Sequence, residues 1–228
     1  TVAPELDGAL ELVARLVGQG HRVSLGHSGA SYDQAIAGIE AGARHATHLF
    51  NRMPPLGHRA PGLAGAVLEH DGIAAELICD GVHVHPAMIK LALAAKHPER
   101  IMAITDATAG AGLPRGAKAS LGGRTITVGD AAYLDDGTIA GSVLTMDRAF
   151  ATLVGAAGTS LVDAAVVCST TPARELGLHN LGLIAPGALA DLVVLDRALR
   201  VTETYVAGRL VFSREQGTGY PRSPSIPL

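Results

Sequence analysis

Apolar and polar positions follow two different periods along the first half of the chain. Helical spacing of apolar residues marks 5–19 (ELDGALELVARLVGQ), 32–41 (YDQAIAGIEA) and 86–96. Short apolar runs mark strands at 22–26 (RVSLG), 45–49 (HATHL), 74–79 (AAELIC) and 101–104 (IMAI). Gly20 and Gly42 stand where the first two helices should stop, Ser31 where the second should be N-capped, and Pro86 in a first helical turn. This is βα alternation, the signature of a parallel α/β sheet. After about residue 118 the texture changes to β segments over 121–128 and 131–137, with Asp136-Gly137 as a hairpin turn. Helices are predicted again at 143–156 and 160–168, then antiparallel strands at 190–195 and 203–212 with a turn at Ala207-Gly208, and a proline-rich tail. A closed (β/α)₈ barrel needs eight units and roughly 250 residues. With four barrel-like strands here, the pattern fits a smaller open α/β sheet or the second half of such a barrel.

Composition narrows this picture. Of 228 residues, 48% are hydrophobic and 17% charged, enough apolar side chain for a sizeable core and too little charge for general disorder. A net charge of −3 without a Lys/Arg-dense stripe argues against nucleic acid or an anionic membrane as partner. The longest charge-free apolar stretch near a helical pattern, 149–162, is too short to span a bilayer. Cys79 and Cys168 lie in apolar runs, which reads as reduced core thiols in a cytoplasmic protein. The N-terminus has no basic segment followed by an apolar run, so no signal peptide is expected there.

The chemistry gathers at strand ends. His27, His48, His83 with His85, and Asp106 each follow a predicted strand, and α/β folds build their sites at those C-terminal ends. Imidazoles and a carboxylate converging there point to a divalent metal, Zn²⁺ first with Fe, Co or Mn as alternatives, activating water beside a carboxylate base. His21, His45, His58, His70, His97 and His179 fall at helix ends, loops or strand starts and are read mostly as solvated. Gly26-His-Ser28-Gly-Ala30 approaches a nucleophile-elbow pattern, but its last glycine is Ala30 and no Asp-then-His order follows. The loop 51–62 carries Arg52 and Arg59, and arginine suits a phosphate or carboxylate on the substrate.

Taken together and in order, Leu25-Gly-His-Ser-Gly-Ala30, Ala46-Thr-His-Leu-Phe-Asn51, Arg59-Ala-Pro-Gly62, Asp80-Gly-Val-His83, Thr105-Asp106-Ala107 and Ile139-Ala-Gly141-Ser resemble the N-acetylglucosamine-6-phosphate deacetylase family of the amidohydrolase superfamily. The resemblance implies an α/β fold, the C-terminal half of a (β/α)₈ barrel with part of a small β-sandwich. It also implies metal ligation by His27 and His48, catalysis by Asp106, and substrate contacts from Asn51, Arg52 through its backbone, Arg59, Asp80, His83, Ile139, Ala140 and Gly141. A cytoplasmic homodimer acting on a phosphorylated amino sugar is implied too, with the Arg59 position reaching the phosphate across the dimer contact. The family's third protein ligand, a Glu in a Leu-Glu-Gly-Pro-type segment, and a carbonyl-polarising histidine have no counterpart here. Glu5, the first acidic residue, stands at a predicted helix start and does not match that segment. The expected division is a barrel half at 1–118, a β-hairpin insertion near the site at 119–141, closing helices at 142–185, sandwich strands at 186–215 and a tail at 216–228.

Overall fold

The computed structural model describes residues 1–215, so the predicted tail lies outside the described residues. Helix α1 (Ala9–Gly18) buries Ala9 and Val13 and ends in a Schellman motif. There the Gly20 N–H donates to the Val17 carbonyl and the His21 N–H to that of Leu16, at 2.9 and 3.0 Å, with Gly20 at φ 84°. Strand β1 (Ser24–Leu25) leads to α2 (Tyr32–Glu40), whose N-terminus is a capping box between Ser31 and Gln34. Its C-terminus repeats the Schellman pattern with Gly42 at φ 117°. Strand β2 (His45–Ala46), helix α3 (Gly62–Glu69), β3 (Ala74–Ile78), α4 (Pro86–Lys96) and β4 (Ile101–Ile104) complete the alternation.

The four strands are parallel and lie in chain order, β1-β2-β3-β4, with Val2 bridging Leu25 in parallel on the outer side of β1. A doubly wound sheet reverses its strand order part-way. This sheet never does, so right-handed crossovers put every helix on one face and leave the other as a barrel interior. The architecture is therefore an arc of a (β/α)₈ barrel, not an open sheet. Its main core lies between strands and helices, where Leu25, Ile39, Leu63, Leu77, Ile89, Ile101 and Leu153 are inaccessible or nearly so. Each such side chain contributes about 1.5–3 kcal/mol by leaving water.

Beyond β4, strands β5 (Lys118–Leu121), β6 (Arg124–Val128) and β7 (Ala132–Tyr133) form an antiparallel sheet over a small core of Ile126, Val128, Ala132 and Val143. The β segment predicted across 121–128 is thus a hairpin turning at Gly122-Gly123, both at positive φ. Helix α5 (Met146–Gly155), α6 (Leu161–Ala165), a π-helical turn (Val166–Thr170) and α7 (Thr171–Glu175) follow. Strands β8 (Leu192–Leu195), β9 (Val201–Val206) and β10 (Arg209–Ser213) then form a second antiparallel sheet. The β9–β10 turn falls at Ala207-Gly208, both left-handed, as a two-residue hairpin requires.

Three expectations are corrected. The first helix begins at Ala9, not Glu5, because Gly8 at φ 74° and the preceding turns break the helical run. Residues 62–69, unassigned by pattern, are helical; Gly62 through Val67 are all buried, so no polar face exists to give α3 a period. His45, read as solvated, is 7% exposed, with Nε2 3.3 Å from Glu175 Oε2. No helix among the described residues is long and apolar enough to cross a membrane.

Candidate active site

The C-terminal ends of the parallel strands bring His27 and His48 together. His27 follows β1 and His48 follows β2, and their Nε2 atoms lie 2.8 Å apart with ring centroids at 4.6 Å. Both residues hold left-handed backbone, at φ 50° and 31°, as do Phe50 at 75°, Arg52 at 53° and Asp106, the strand-end carboxylate after β4, at 48°. Non-glycine residues occupy this region at a cost of about 1–3 kcal/mol and persist where surroundings over-determine them. Beneath the histidines the interior is lined by hydroxyls: Thr47 Oγ1 is 2.9 Å from Thr1 Oγ1 and 2.6 Å from Ser24 Oγ. Gly26 lets the chain pass, since a Cβ there would lie 2.7 Å from the Thr47 Cβ.

Burial lowers the His27 pKa, the charges of His48 and Arg52 lower it further, and Asp106 opposes them. The net effect is a lowered pKa, which favours the neutral imidazole, the form in which histidine ligates metal. His48 is 5% exposed and its Nδ1 is buried without a hydrogen-bond partner. Two converging imidazole nitrogens, one ring carrying an orphan polar atom, fit part of a metal's donor set. Among the described residues no group of three or more His, Cys, Asp or Glu is arranged to hold an ion.

The other candidates have partners of their own. Asp80 and His83 form a buried dyad with His83 Nδ1 2.6 Å from Asp80 Oδ2, while Asp80 Oδ1 accepts the N–H groups of Val82 and His83 at 2.8 Å each. In the tautomer that donates from Nδ1 to Asp80, the His83 Nε2 is left as an acceptor. His85 instead caps α4, its Nδ1 accepting the Ala87 N–H at 3.2 Å. The Asp106 carbonyl accepts the Ser142 N–H at 2.9 Å, which brings Gly141 beside Asp106. A Cβ on Gly141 would stand 3.8 Å from Asp106 Oδ2. Asn51 donates to the Leu49 carbonyl at 3.3 Å, and the Arg52 carbonyl accepts the Ser28 N–H at 3.1 Å. Arg59 is exposed, with its guanidinium 2.6 Å from His58 Nε2. An open cavity of about 430 Å³ at His27, Ser28 and Arg52 adjoins one of about 600 Å³ at Ser31, Tyr32 and Arg59, the two sharing Gly29 and Pro54.

Two acids in this region escaped the pattern reading. Glu5 accepts from Ser28 and Gly29, and Glu76 in mid-β3 sits where burial raises its pKa against the opposing influence of the His48 N–H and the His45 and His48 rings. A lone acid inside the apolar run AAELIC was the available sign of the second. Ser28 is no free nucleophile, because its hydroxyl donates to Glu5 Oε2 at 2.7 Å and accepts the Ala30 N–H at 3.0 Å.

Residues 2–211 match the Amidohydrolase family. The chain belongs to the amidohydrolases. Within that family it is 38% identical to the N-acetylglucosamine-6-phosphate deacetylase of Bacillus subtilis over 214 residues, 93% of this chain and 54% of that protein. It is 40% identical to the N-acetylgalactosamine-6-phosphate deacetylase of Escherichia coli O157:H7 over 210 residues, 92% of this chain and 55% of that protein. Among solved amidohydrolases, an Asp-to-Ala mutant of the Mycobacterium smegmatis N-acetyl-D-glucosamine-6-phosphate deacetylase in complex with N-acetyl-D-glucosamine-6-phosphate superposes with a TM-score of 0.87 at 43% identity, covering 91% of this chain and 56% of that one. The chain spans about half the length of the curated relatives it matches.

Proposed function

We propose that this amidohydrolase takes part in hydrolysis of the N-acetyl group of N-acetylglucosamine 6-phosphate, giving glucosamine 6-phosphate and acetate. The observation that carries the reading is the convergence of His27 and His48 Nε2 atoms, 2.8 Å apart, at the strand ends of an amidohydrolase barrel arc. His27 and His48 would hold a divalent cation through those two nitrogens, Zn²⁺ first with Fe, Co or Mn as alternatives, and the cation would supply Lewis acidity for the hydrolysis. Asp106 takes the water proton on its carboxylate as the oxygen–carbon bond forms, and returns it to the nitrogen as the carbon–nitrogen bond breaks. Without that transfer an amine leaves poorly near neutral pH. Asp80 holds the His83 ring so that its free Nε2 receives a sugar hydroxyl, and Asn51 with the Arg52 backbone lines the same side. Arg59 pairs with the phosphate, and Ile139, Ala140 and Gly141 close over the sugar beside Asp106.

In this reading 1–118 is the barrel half, 119–141 an insertion at the site, 142–185 the closing helices and 186–215 the sandwich strands. The working enzyme is a cytoplasmic homodimer in which Arg59 serves the partner's site. The relative named for N-acetylgalactosamine 6-phosphate favours a second sugar, the C4 epimer, as competing substrate. Acetate release by the full-length protein from both sugar phosphates and from unphosphorylated N-acetylglucosamine tests this. Turnover should need the phosphate, and Asp106→Asn should lower kcat by about 10²–10⁴. Wild-type turnover in Asp106→Asn, or equal turnover without the phosphate, would overturn the assignment.

A further inference from the structure

We infer that Glu5 is a positioning residue for His27, acting through the turn that follows it; the inference rests on the reading of His27 and His48 as metal ligands. The parallel bridge of Val2 to Leu25 brings the chain out of the sheet at Pro4-Glu5 on the same end as His27. It is fixed there by the Val2 N–H donating to the Ser24 carbonyl at 2.9 Å and the Gly26 N–H to the Val2 carbonyl at 3.2 Å. Both carboxylate oxygens of Glu5 are committed to the two residues after His27: Oε2 accepts the Ser28 hydroxyl at 2.7 Å and Oε1 the Gly29 N–H at 2.6 Å. The Ser28 hydroxyl then accepts the Ala30 N–H, and the Ser28 N–H donates to the Arg52 carbonyl. The turn after His27 is thus tied to Glu5 through two donors and to the Arg52 carbonyl through a third.

The tie has a reason in the backbone. His27 sits at φ 50°, a conformation an ordinary side chain leaves when nothing holds it. A charged acceptor bridging two donors is the strong form of such a restraint. Nothing in α1 requires Glu5, because that helix begins at Ala9 and takes its first-turn acid from Glu11. Glutamine can still accept the Gly29 N–H on its oxygen and donate its NH₂ to the Ser28 hydroxyl, but it loses the charge and the acceptor for the Ser28 proton, and alanine keeps neither bond.

The test measures Zn²⁺ affinity by competition with a chromophoric chelator, together with kcat and KM for acetate release. The full-length wild type is compared with Glu5→Ala, Glu5→Gln, Ser28→Ala and His27→Ala, and the unfolding midpoint of each metal-free protein is followed. Glu5→Ala should weaken Zn²⁺ binding about 10- to 100-fold, the range for losing an outer-shell partner, and lower kcat with KM nearly unchanged. Glu5→Gln and Ser28→Ala should fall between it and wild type, and Glu5→Ala with Ser28→Ala combined should be no worse than Glu5→Ala alone. A structural role alone would lower the metal-free midpoint and leave Zn²⁺ affinity intact in Glu5→Gln and Ser28→Ala, which overturns the inference. If His27→Ala binds Zn²⁺ as wild type does, the metal reading falls first and the inference with it. If His27→Ala loses the metal while every Glu5 variant keeps it, the inference alone fails.

Discussion

Gly141 shows how tightly the candidate carboxylate is packed. A Cβ there would fall 2.6 Å from the Thr108 Cγ2 and 3.1 Å from the Asp106 carbonyl oxygen, on a backbone already at φ 78°. Gly137 has the same left-handed backbone, φ 81°, with nothing near its Cβ direction, so it isolates the conformational cost from the steric one. Gly137→Ala should destabilise by about 1–2 kcal/mol from the left-handed backbone alone. Gly141→Ala should add about 1–3 kcal/mol of overpacking and reduce acetate release by displacing Asp106. Urea unfolding of the two variants decides it, and equal losses would mean that Thr108 yields freely. Individual residues differ in how far they could be read from the chain. His27, His48 and Asp106 stood out because each is a ligating or acid–base side chain at the exit of an apolar run. Glu5 did not, because its partners Ser28 and Gly29 lie in a turn brought near only by the pairing of Val2 with Leu25. His45 was misread for the same reason, its partner Glu175 being 130 residues away.

The segment from β3 to α4 is a unit whose stability depends on one carboxylate. Burial by itself would raise the Asp80 pKa, but the hydrogen bonds from the His83 ring and from the His83 and Val82 N–H groups outweigh it and hold the carboxyl below its ordinary value. A carboxyl depressed in the folded state stabilises above its unfolded pKa, about 3.9, and that contribution disappears as pH falls through the lower folded value. Asp80→Asn should therefore cost about 1–3 kcal/mol at pH 7. The gap to wild type should close below roughly pH 4. Unfolding midpoints across that range check the sign, and a gap that is constant with pH would show that Asp80 acts only as a neutral acceptor. At this scale the elements with termination signals were legible: Gly20, Gly42, Ser31 and Pro86 all do at helix ends what their chemistry implies. Helix α3 was not, since six of its eight residues are buried and small residues supply no amphipathic contrast. The predicted helix 160–168 is α-helical only to Ala165 and passes into the π-helical turn, a change of hydrogen-bond step that residue type does not encode.

For the whole molecule, strand order separates two faces with different duties. Candidate chemistry lies at the C-terminal ends of β1 to β4, while the turn before β4 is tied to α7 on the opposite face, the face that in such barrels serves stability. A cavity of about 300 Å³ on that second face is lined by Arg22, Arg44, His45, Arg100 and Glu175. Glu175 at the end of α7 is its hub, lying 3.3 Å from His45 Nε2, 3.7 Å from Arg100 and 3.1 Å from Arg174. The Thr171 hydroxyl, donating to the Pro98 carbonyl at 2.9 Å, ties the same helix to the turn before β4. Sequence periodicity delivered the βα units but could not order them; the family resemblance pointed to a barrel half, and the pairing of Val2, β1, β2, β3 and β4 excludes the open sheet. The face separation makes a testable statement about Glu175. Removing its carboxylate leaves the buried His45 ring without its partner, at a cost of about 1–3 kcal/mol, and frees α7 from the strand starts. Glu175→Ala should lower the denaturant midpoint accordingly while Zn²⁺ affinity and kcat stay at wild-type values, because the strand ends carrying His27, His48 and Asp106 point the other way. An unchanged midpoint would remove Glu175 from the fold's support, and a loss of metal affinity as large as that of Glu5→Ala would show that the two faces are coupled through the strands.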